Sequence, residues 1–143
     1  MKSIYILCLG ALFLSACKKA KTDTTTADLL TAKTWKYATV DNNVASNPKS
    51  GTLLYAPIAA CLADNVYTFG SDGKLIINNG SNHCDAGEGA VTSYSYSIDK
   101  TNNTIIINGT LFTIAEITET QLKYYAVVPG TSGVQNLVYI FQH

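Results

Sequence analysis

The sequence predicts an all-β fold, in which about eight short antiparallel strands form an up-and-down barrel after a short helical turn. Apolar and polar residues alternate along most segments between turns, which is typical of strands that bury one face. Asp72-Gly73 and Asn108-Gly109 separate pairs of such segments, and both dipeptides favour tight hairpins because glycine adopts positive φ at little cost. Consecutive hairpins favour an up-and-down sheet, and closing that sheet removes its exposed edges.

The individual elements follow from local patterns. A helical turn is expected at residues 27–30, and the polar segments 41–51 and 80–89 are expected to be loops. Segment 91–98 is the clearest strand, because Tyr94 and Tyr96 lie on one face and serines on the other. The apolar segment 58–62 is not assigned to either class. The eight predicted strands are 35–40, 66–69, 75–77, 91–98, 104–107, 110–114, 122–128 and 136–142, and 52–56 is a candidate for a further short strand that ends before Pro57.

Residues 1–16 have the features of a signal peptide. Lys2 precedes an apolar stretch at 4–14, and small residues lead up to Cys17. The apolar stretch is too short to span a bilayer as a helix. We therefore predict cleavage before Cys17, a flexible polar tether at 17–26 and one folded domain at 27–143.

Leu14-Ser15-Ala16-Cys17 resembles the lipobox of bacterial lipoproteins. This resemblance implies acylation of Cys17 by fatty acids such as palmitate, and hence a membrane partner through a lipid anchor. The alternative is an ordinary secretory signal with an incidental cysteine. Lys18 rather than Asp follows Cys17, which by resemblance to lipoprotein sorting implies the outer membrane. Residues 18–22 have no acidic cluster, so the periplasmic face is favoured over the cell surface.

The cysteines predict one disulfide bond. Cys8 leaves with the signal peptide and Cys17 carries lipid, so Cys61 and Cys84 remain. An even pair in an oxidising compartment is expected to be bonded. The hairpin around Asp72-Gly73 brings its two ends together, and a cysteine lies at each end. Closing this loop stabilises the fold by about 3 kcal/mol in the chain-entropy treatment.

The domain is similar to the small lipocalin-like lipoproteins of Gram-negative bacteria. The similarity rests on Leu-Leu-Thr-Ala-Lys-Thr-Trp-Lys at 29–36 and on the pattern of Cys61, Asp64, Tyr67-Thr68-Phe69, Asp72-Gly73 and Cys84. It covers residues 29–143 and implies a calycin-like barrel with bonded cysteines and, for most members, no assigned activity. Two departures stand out. Lys33 occupies the position where lipocalins have glycine before the tryptophan, and no arginine is present to stack on Trp35.

Composition and residue types exclude several function classes. Cleavage removes one of ten lysines, which leaves nine against ten acidic residues, a net charge of −1, without a basic patch for nucleic acid. The sequence has two histidines, His83 and His143, but no Gly-x-Ser-x-Gly motif, so no Ser-His-Asp catalytic triad is predicted. His83, Cys84, Asp85 and Glu88 are best explained as a solvated loop, and Glu116 and Glu119 as surface groups. We therefore predict no catalysis, metal or cofactor.

Aromatic residues on the inward strand faces suggest a ligand cavity. Their hydroxyls and rings suit a small hydrophobic molecule, which would make the protein a non-catalytic binder. The alternative is a filled barrel that presents loops 41–51 and 80–89 to a protein partner. The candidate cavity residues are Trp35, Tyr67, Phe69, Tyr94, Tyr96, Phe112, Ile114, Leu122, Tyr124, Tyr139 and Phe141.

Overall fold

The structure is a computed structural model that describes residues 25–131 and 133–143. The expected signal peptide, the lipidation site Cys17 and most of the tether lie outside the described residues. Helix α1 spans Thr26–Thr31. The strands are β1 (Thr34–Tyr37), β2 (Thr52–Tyr55), β3 (Val66–Phe69), β4 (Lys74–Asn78), β5 (Val91–Asp99), β6 (Thr104–Ile107), β7 (Thr110–Ile117), β8 (Gln121–Gly130) and β9 (Gly133–Gln142).

Eight of the strands close into an antiparallel barrel, which confirms the predicted fold class. The order is β1-β3-β4-β5-β6-β7-β8-β9, and β9 returns to β1 through the pairs Lys36↔Gln142 and Tyr37↔Phe141. Strand β2 is a ninth strand outside this ring and pairs in parallel with β9. The parallel pair was not expected. It is sterically allowed because long segments on both sides of β2 let the chain turn back.

The two hairpins form where the turn residues predict them. Asn108 and Gly109 both have positive φ, at 48° and 79°, as a tight two-residue hairpin requires. In the other turn Gly73 has φ +78°, and Asp72 Oδ1 accepts a hydrogen bond from the Lys74 backbone. The disulfide between Cys61 and Cys84 is present, with a Cα–Cα distance of 5.0 Å, and it joins the segments on either side of this hairpin.

Helix α1 and Trp35 plug one end of the barrel. Thr25 caps the helix through a capping box with Asp28, so two residues expected in the tether belong to this element. Leu30 and Trp35 are fully buried, and the Trp35 indole N–H donates to the Leu30 carbonyl at 3.0 Å. We call this end the plugged end. The turns 99–103 and 118–120 lie here, since Lys100 reaches Thr25 and Lys33 reaches the Glu119 carbonyl.

Two short 3₁₀ helices lie in the connections around β2, at Val44–Ser46 and Ala60–Leu62. The second of these lies within the apolar segment 58–62, which the sequence pattern left unassigned. In the part of the chain that the structure describes, no helix has the length and apolar character needed to cross a membrane.

Candidate functional site

A cavity of about 210 Å³ lies inside the barrel at the end away from α1, which we call the mouth. Five tyrosines and one phenylalanine dominate its lining, and among the described residues no charged side chain contributes. Strands β3 to β9 and the last residue of β1 supply the walls. The lining consists of Tyr37, Tyr67, Leu75, Ile77, Tyr94, Ile107, Thr110, Phe112, Tyr124 and Tyr139.

The predicted cavity residues divide into two groups. Tyr67, Tyr94, Phe112, Tyr124 and Tyr139 line the cavity, whereas the other six pack in the core without lining it. Those six are Trp35, Phe69, Tyr96, Ile114, Leu122 and Phe141. The barrel is therefore solid towards the plugged end and hollow towards the mouth.

Half of the lining residues were not among those predicted from the sequence. Tyr37 is two residues from Trp35 on the same strand face, and Leu75 and Ile77 alternate in the same way on β4. This period-two spacing is a signal that could have identified them. Ile107 and Thr110 flank the Asn108-Gly109 turn, where the pattern alone does not tell a rim position from a loop.

Aromatic contacts hold the cavity walls in place. The Tyr37 ring stacks on Phe141 at 4.4 Å between centroids and meets the edge of Tyr67 at 5.0 Å. Tyr124 stacks on Tyr139 at 5.5 Å and contacts Phe112 at 4.9 Å. Such pairs contribute about 0.5–1.5 kcal/mol each beyond the area they bury. The tyrosine hydroxyls are therefore presented from a packed framework.

Burial raises the pKa values of three cavity tyrosines, Tyr37, Tyr67 and Tyr124. Desolvation raises the pKa of Tyr67 far above its usual range, and the neighbouring Tyr37 adds to this effect. Desolvation also raises the pKa values of Tyr37 and Tyr124. These hydroxyls remain protonated near neutral pH and can donate hydrogen bonds. The part of the chain that the structure describes places no cation on the lining, so this lining offers no countercharge for an anionic group.

A segment at residues 38–51, which we call the strap, covers the outer face of β8 and β9. Beneath it Lys123 is fully buried, with its Nζ atom 2.8 and 3.0 Å from the two carboxylate oxygens of Asp41. The same Nζ atom lies 2.7 Å from the carbonyl oxygen of Asn43. These acceptors match the three donors of an ammonium group. The strap is thus held on the barrel by the Lys123 ammonium group, whose three hydrogen bonds all go to strap residues.

The Asp41 carboxylate accepts several further hydrogen bonds. Asn47 Nδ2 and the Tyr55 hydroxyl donate to Oδ2 at 2.9 Å each, and the Asn43 backbone donates to Oδ1 at 3.0 Å. Burial alone would raise the pKa of Asp41, but the hydrogen bonds from Lys123 and the neighbouring amides outweigh it. They hold that pKa well below its usual range.

Glu116 belongs to this buried cluster, so its prediction as a surface group was wrong. Its side chain is 11% exposed, and Oε2 accepts from the Ser46 hydroxyl at 2.7 Å and lies 3.9 Å from Lys123 Nζ. The reason is a β-bulge at Ala115, where pairing shifts from Ile114↔Tyr124 to Glu116↔Lys123. The extra residue turns Glu116 to the outer face beside Lys123, where the strap residue Ser46 helps to bury it. Glu119 is exposed, as predicted.

Loop 80–89 is organised by two carboxylates. Asp64 Oδ2 accepts hydrogen bonds from the Ser81 and Asn82 backbones at 2.8 and 3.2 Å. These bonds lower the pKa of Asp64, and the bond from Ser81 has the larger effect. Glu88 Oε2 accepts from the Cys84 backbone at 2.8 Å and lies 3.9 Å from His83. Within residues 25–131 and 133–143, no three His, Cys, Asp or Glu side chains are arranged to hold a metal ion.

The described chain forms a barrel that is plugged at one end, hollow at the other and covered on one side by a strap. The hollow end presents tyrosine hydroxyls among apolar walls, which is typical of a site for a small molecule. The chain matches no protein-family model, no curated protein and no solved structure.

Proposed function

We propose that the chain is a lipid-anchored lipoprotein of the cell envelope, similar to lipocalin-like lipoproteins, whose barrel binds a small neutral hydrophobic molecule without catalysis. The observation that carries ligand binding is the tyrosine-lined cavity of about 210 Å³ at the mouth. The anchor is supported by the signal-like residues 1–16 followed by Cys17, and the outer membrane by Lys18 after it.

The cavity volume sets the size of the ligand portion held in the barrel. At about 210 Å³ the cavity exceeds the roughly 150 Å³ of an engineered apolar cavity that binds benzene. It is below the roughly 300 Å³ at which pockets for drug-sized ligands begin. A substituted single ring or a short aliphatic chain fits within these bounds.

The lining chemistry sets the ligand's polarity. Leu75, Ile77, Ile107 and Phe112 provide apolar contact, and the neutral tyrosine hydroxyls provide hydrogen bonds. An anion would lose its hydration without gaining a cationic partner, which costs several kcal/mol. The ligand class is therefore a neutral ring or chain with one hydrogen-bonding group, and para-ethylphenol is a suitable probe.

Titration calorimetry of the full chain in lipid nanodiscs tests ligand binding, with empty nanodiscs as the blank. We expect para-ethylphenol to bind with saturation and with a negative heat-capacity change, since apolar surface is buried. Ile107→Phe fills the cavity and should abolish saturable binding. Ile106→Phe is the matched control, because Ile106 is the adjacent residue on the outer face and is 41% exposed. Equal binding by both variants would contradict the proposal.

Metabolic labelling tests the lipid anchor. An alkyne analogue of palmitate should label the wild-type protein, and the label should co-sediment with outer-membrane vesicles. Cys17→Ala should lose the label, whereas Cys8→Ala should retain it because Cys8 lies within the cleaved segment. Labelling that survives Cys17→Ala would refute the anchor.

A protein-binding role is the second candidate, and exposed apolar side chains at the mouth support it. Leu111, Val127 and Val134 are more than half exposed, and Val44 on the strap is 66% exposed. A photoreactive residue at Val44 or at Gly87 in loop 80–89 should then crosslink to one defined protein in intact cells. If neither position captures a protein, this role is excluded.

A further inference from the structure

Strands β1 and β2 share one edge of β9 and run towards each other along it. Strand β1 is antiparallel to β9, and its pairing ends with the hydrogen bond from Ala38 N to the Ile140 carbonyl at 2.9 Å. Strand β2 is parallel to β9, and its pairing ends with the bond from Ala56 N to the Val138 carbonyl at 2.8 Å. Both strands therefore leave β9 around Tyr139, which creates a break in the barrel wall.

A second cavity of about 220 Å³ lies at this break, and we call it the outer cavity. Its walls come from the two departing segments, with Ala38 and Thr39 on one side and Ala56, Pro57 and Ile58 on the other. Within residues 25–131 and 133–143, no charged residue lines it. Among the described residues β1 and β2 are not paired with each other, so no backbone ladder crosses the break.

Tyr37 and Tyr139 line both the barrel cavity and the outer cavity. These two residues therefore border both spaces. The Tyr37 ring stacks on Phe141 and the Tyr139 ring stacks on Tyr124. Both are side-chain contacts and do not contribute to strand pairing. Rotation of either side chain would leave the strand pairing intact, and we expect it to open a passage between the two cavities.

We infer that the two cavities form one elongated site, in which a ligand places a polar ring among the barrel tyrosines and passes an apolar chain between Tyr37 and Tyr139. The inference rests on the proposed ligand-binding function and deepens it. It names the ligand class as an extended neutral molecule, with a ring at one end and an alkyl chain at the other. The neutral, largely aliphatic walls of the outer cavity suit the chain.

A series of para-alkylphenols tests the connection by calorimetry on the full chain in nanodiscs. If the cavities connect, affinity should rise about fourfold for each added methylene from para-ethylphenol to para-octylphenol, because each one is buried. If they do not connect, affinity should stop rising once the chain fills the barrel cavity. A plateau of that kind would overturn the inference.

Substitutions at two neighbouring residues test whether the ligand's alkyl chain enters the outer cavity. Thr39→Trp fills the outer cavity and should remove the affinity gained by para-octylphenol while leaving para-ethylphenol binding unchanged. Val40→Trp is the matched control, because Val40 is 61% exposed and does not line the outer cavity. Equal para-octylphenol affinity in both variants would overturn the inference.

The outcomes separate this inference from the function on which it rests. Saturable binding of para-ethylphenol with a plateau in the series would leave ligand binding intact and remove only the elongated site. Absence of binding for every member would remove both. A rise along the series that Thr39→Trp abolishes and Val40→Trp preserves would support both.

Discussion

The Nζ atom of Lys123 lies 2.8 Å from Oδ1 of Asp41, a contact that joins β8 to a strap residue 82 positions earlier in the sequence. The lysine side chain is fully buried and the aspartate side chain is 6% exposed. Desolvation of two charges costs several kcal/mol, so the pair is tolerated only because every ammonium proton has an acceptor and the carboxylate has further donors. Its main contribution is to hold the strap in one position.

Lys123→Met should lower the free energy of unfolding by about 3 kcal/mol, because it leaves the Asp41 carboxylate buried without its cation. Urea unfolding followed by fluorescence of Trp35, the only tryptophan, measures this change. Lys74→Met is the matched control, since Lys74 and its partner Asp72 are more than 60% exposed and their pair contributes little. Equal effects of the two substitutions would contradict the role of the buried pair.

Stability should fall as the pH is lowered through the acidic range. The folded-state pKa of Asp41 lies below its ordinary value of 3.8, so the unfolded chain binds more protons there. The stabilisation is present above the ordinary pKa and is lost as the pH falls towards the folded-state pKa. Urea unfolding between about pH 6 and pH 2 should show a steeper decline for the wild type than for Asp41→Asn. Identical slopes would rule out this assignment.

Gly80→Ala should destabilise the fold by about 1–2 kcal/mol. Gly80 has φ +63°, and a Cβ atom there would lie 2.4 Å from the Asp64 carboxylate carbon. Gly87→Ala is the matched control, because nothing lies within 4 Å of its Cβ position and its φ is not positive. Thermal unfolding of the two variants makes the comparison, and a Gly80→Ala protein as stable as Gly87→Ala would contradict the close approach.

Replacement of both Cys61 and Cys84 by serine should lower the free energy of unfolding by about 3 kcal/mol. The bond closes a loop between residues 23 positions apart, and its loss increases the conformational entropy of the unfolded chain. Reduction of the wild-type protein should give the same loss in guanidinium unfolding. A loss below about 1 kcal/mol would show that the loop entropy is not the main term.

The barrel strands were predictable because their signals are local. Asp72-Gly73 and Asn108-Gly109 set two hairpins by their φ preferences, and the alternation in 91–98 set the inner face of β5. The disulfide followed from the positions of Cys61 and Cys84 at the ends of one hairpin unit.

The strap and the second cavity were not predictable, because they depend on distant contacts. Lys123 has the sequence context of an ordinary outward strand residue, and only the folded strap buries it. Glu116 follows the inward period of β7 until the bulge at Ala115 reverses it. No local sequence signal predicts the parallel pairing of β2 with β9. The break around Tyr139 depends on that pairing, so it was not predictable from the sequence.

Both ends of the described chain lie at the plugged end of the barrel. Helix α1 packs on Trp35 there, and Gln142 pairs with Gln121, the first residue of β8, next to the turn at 118–120. The barrel cavity and the Asn108-Gly109 turn lie at the opposite end. A tether or fusion joined to either terminus is therefore connected at the plugged end of the barrel. The mouth then lies at the end of the barrel farthest from the point of attachment, and a tether or fusion does not obstruct it.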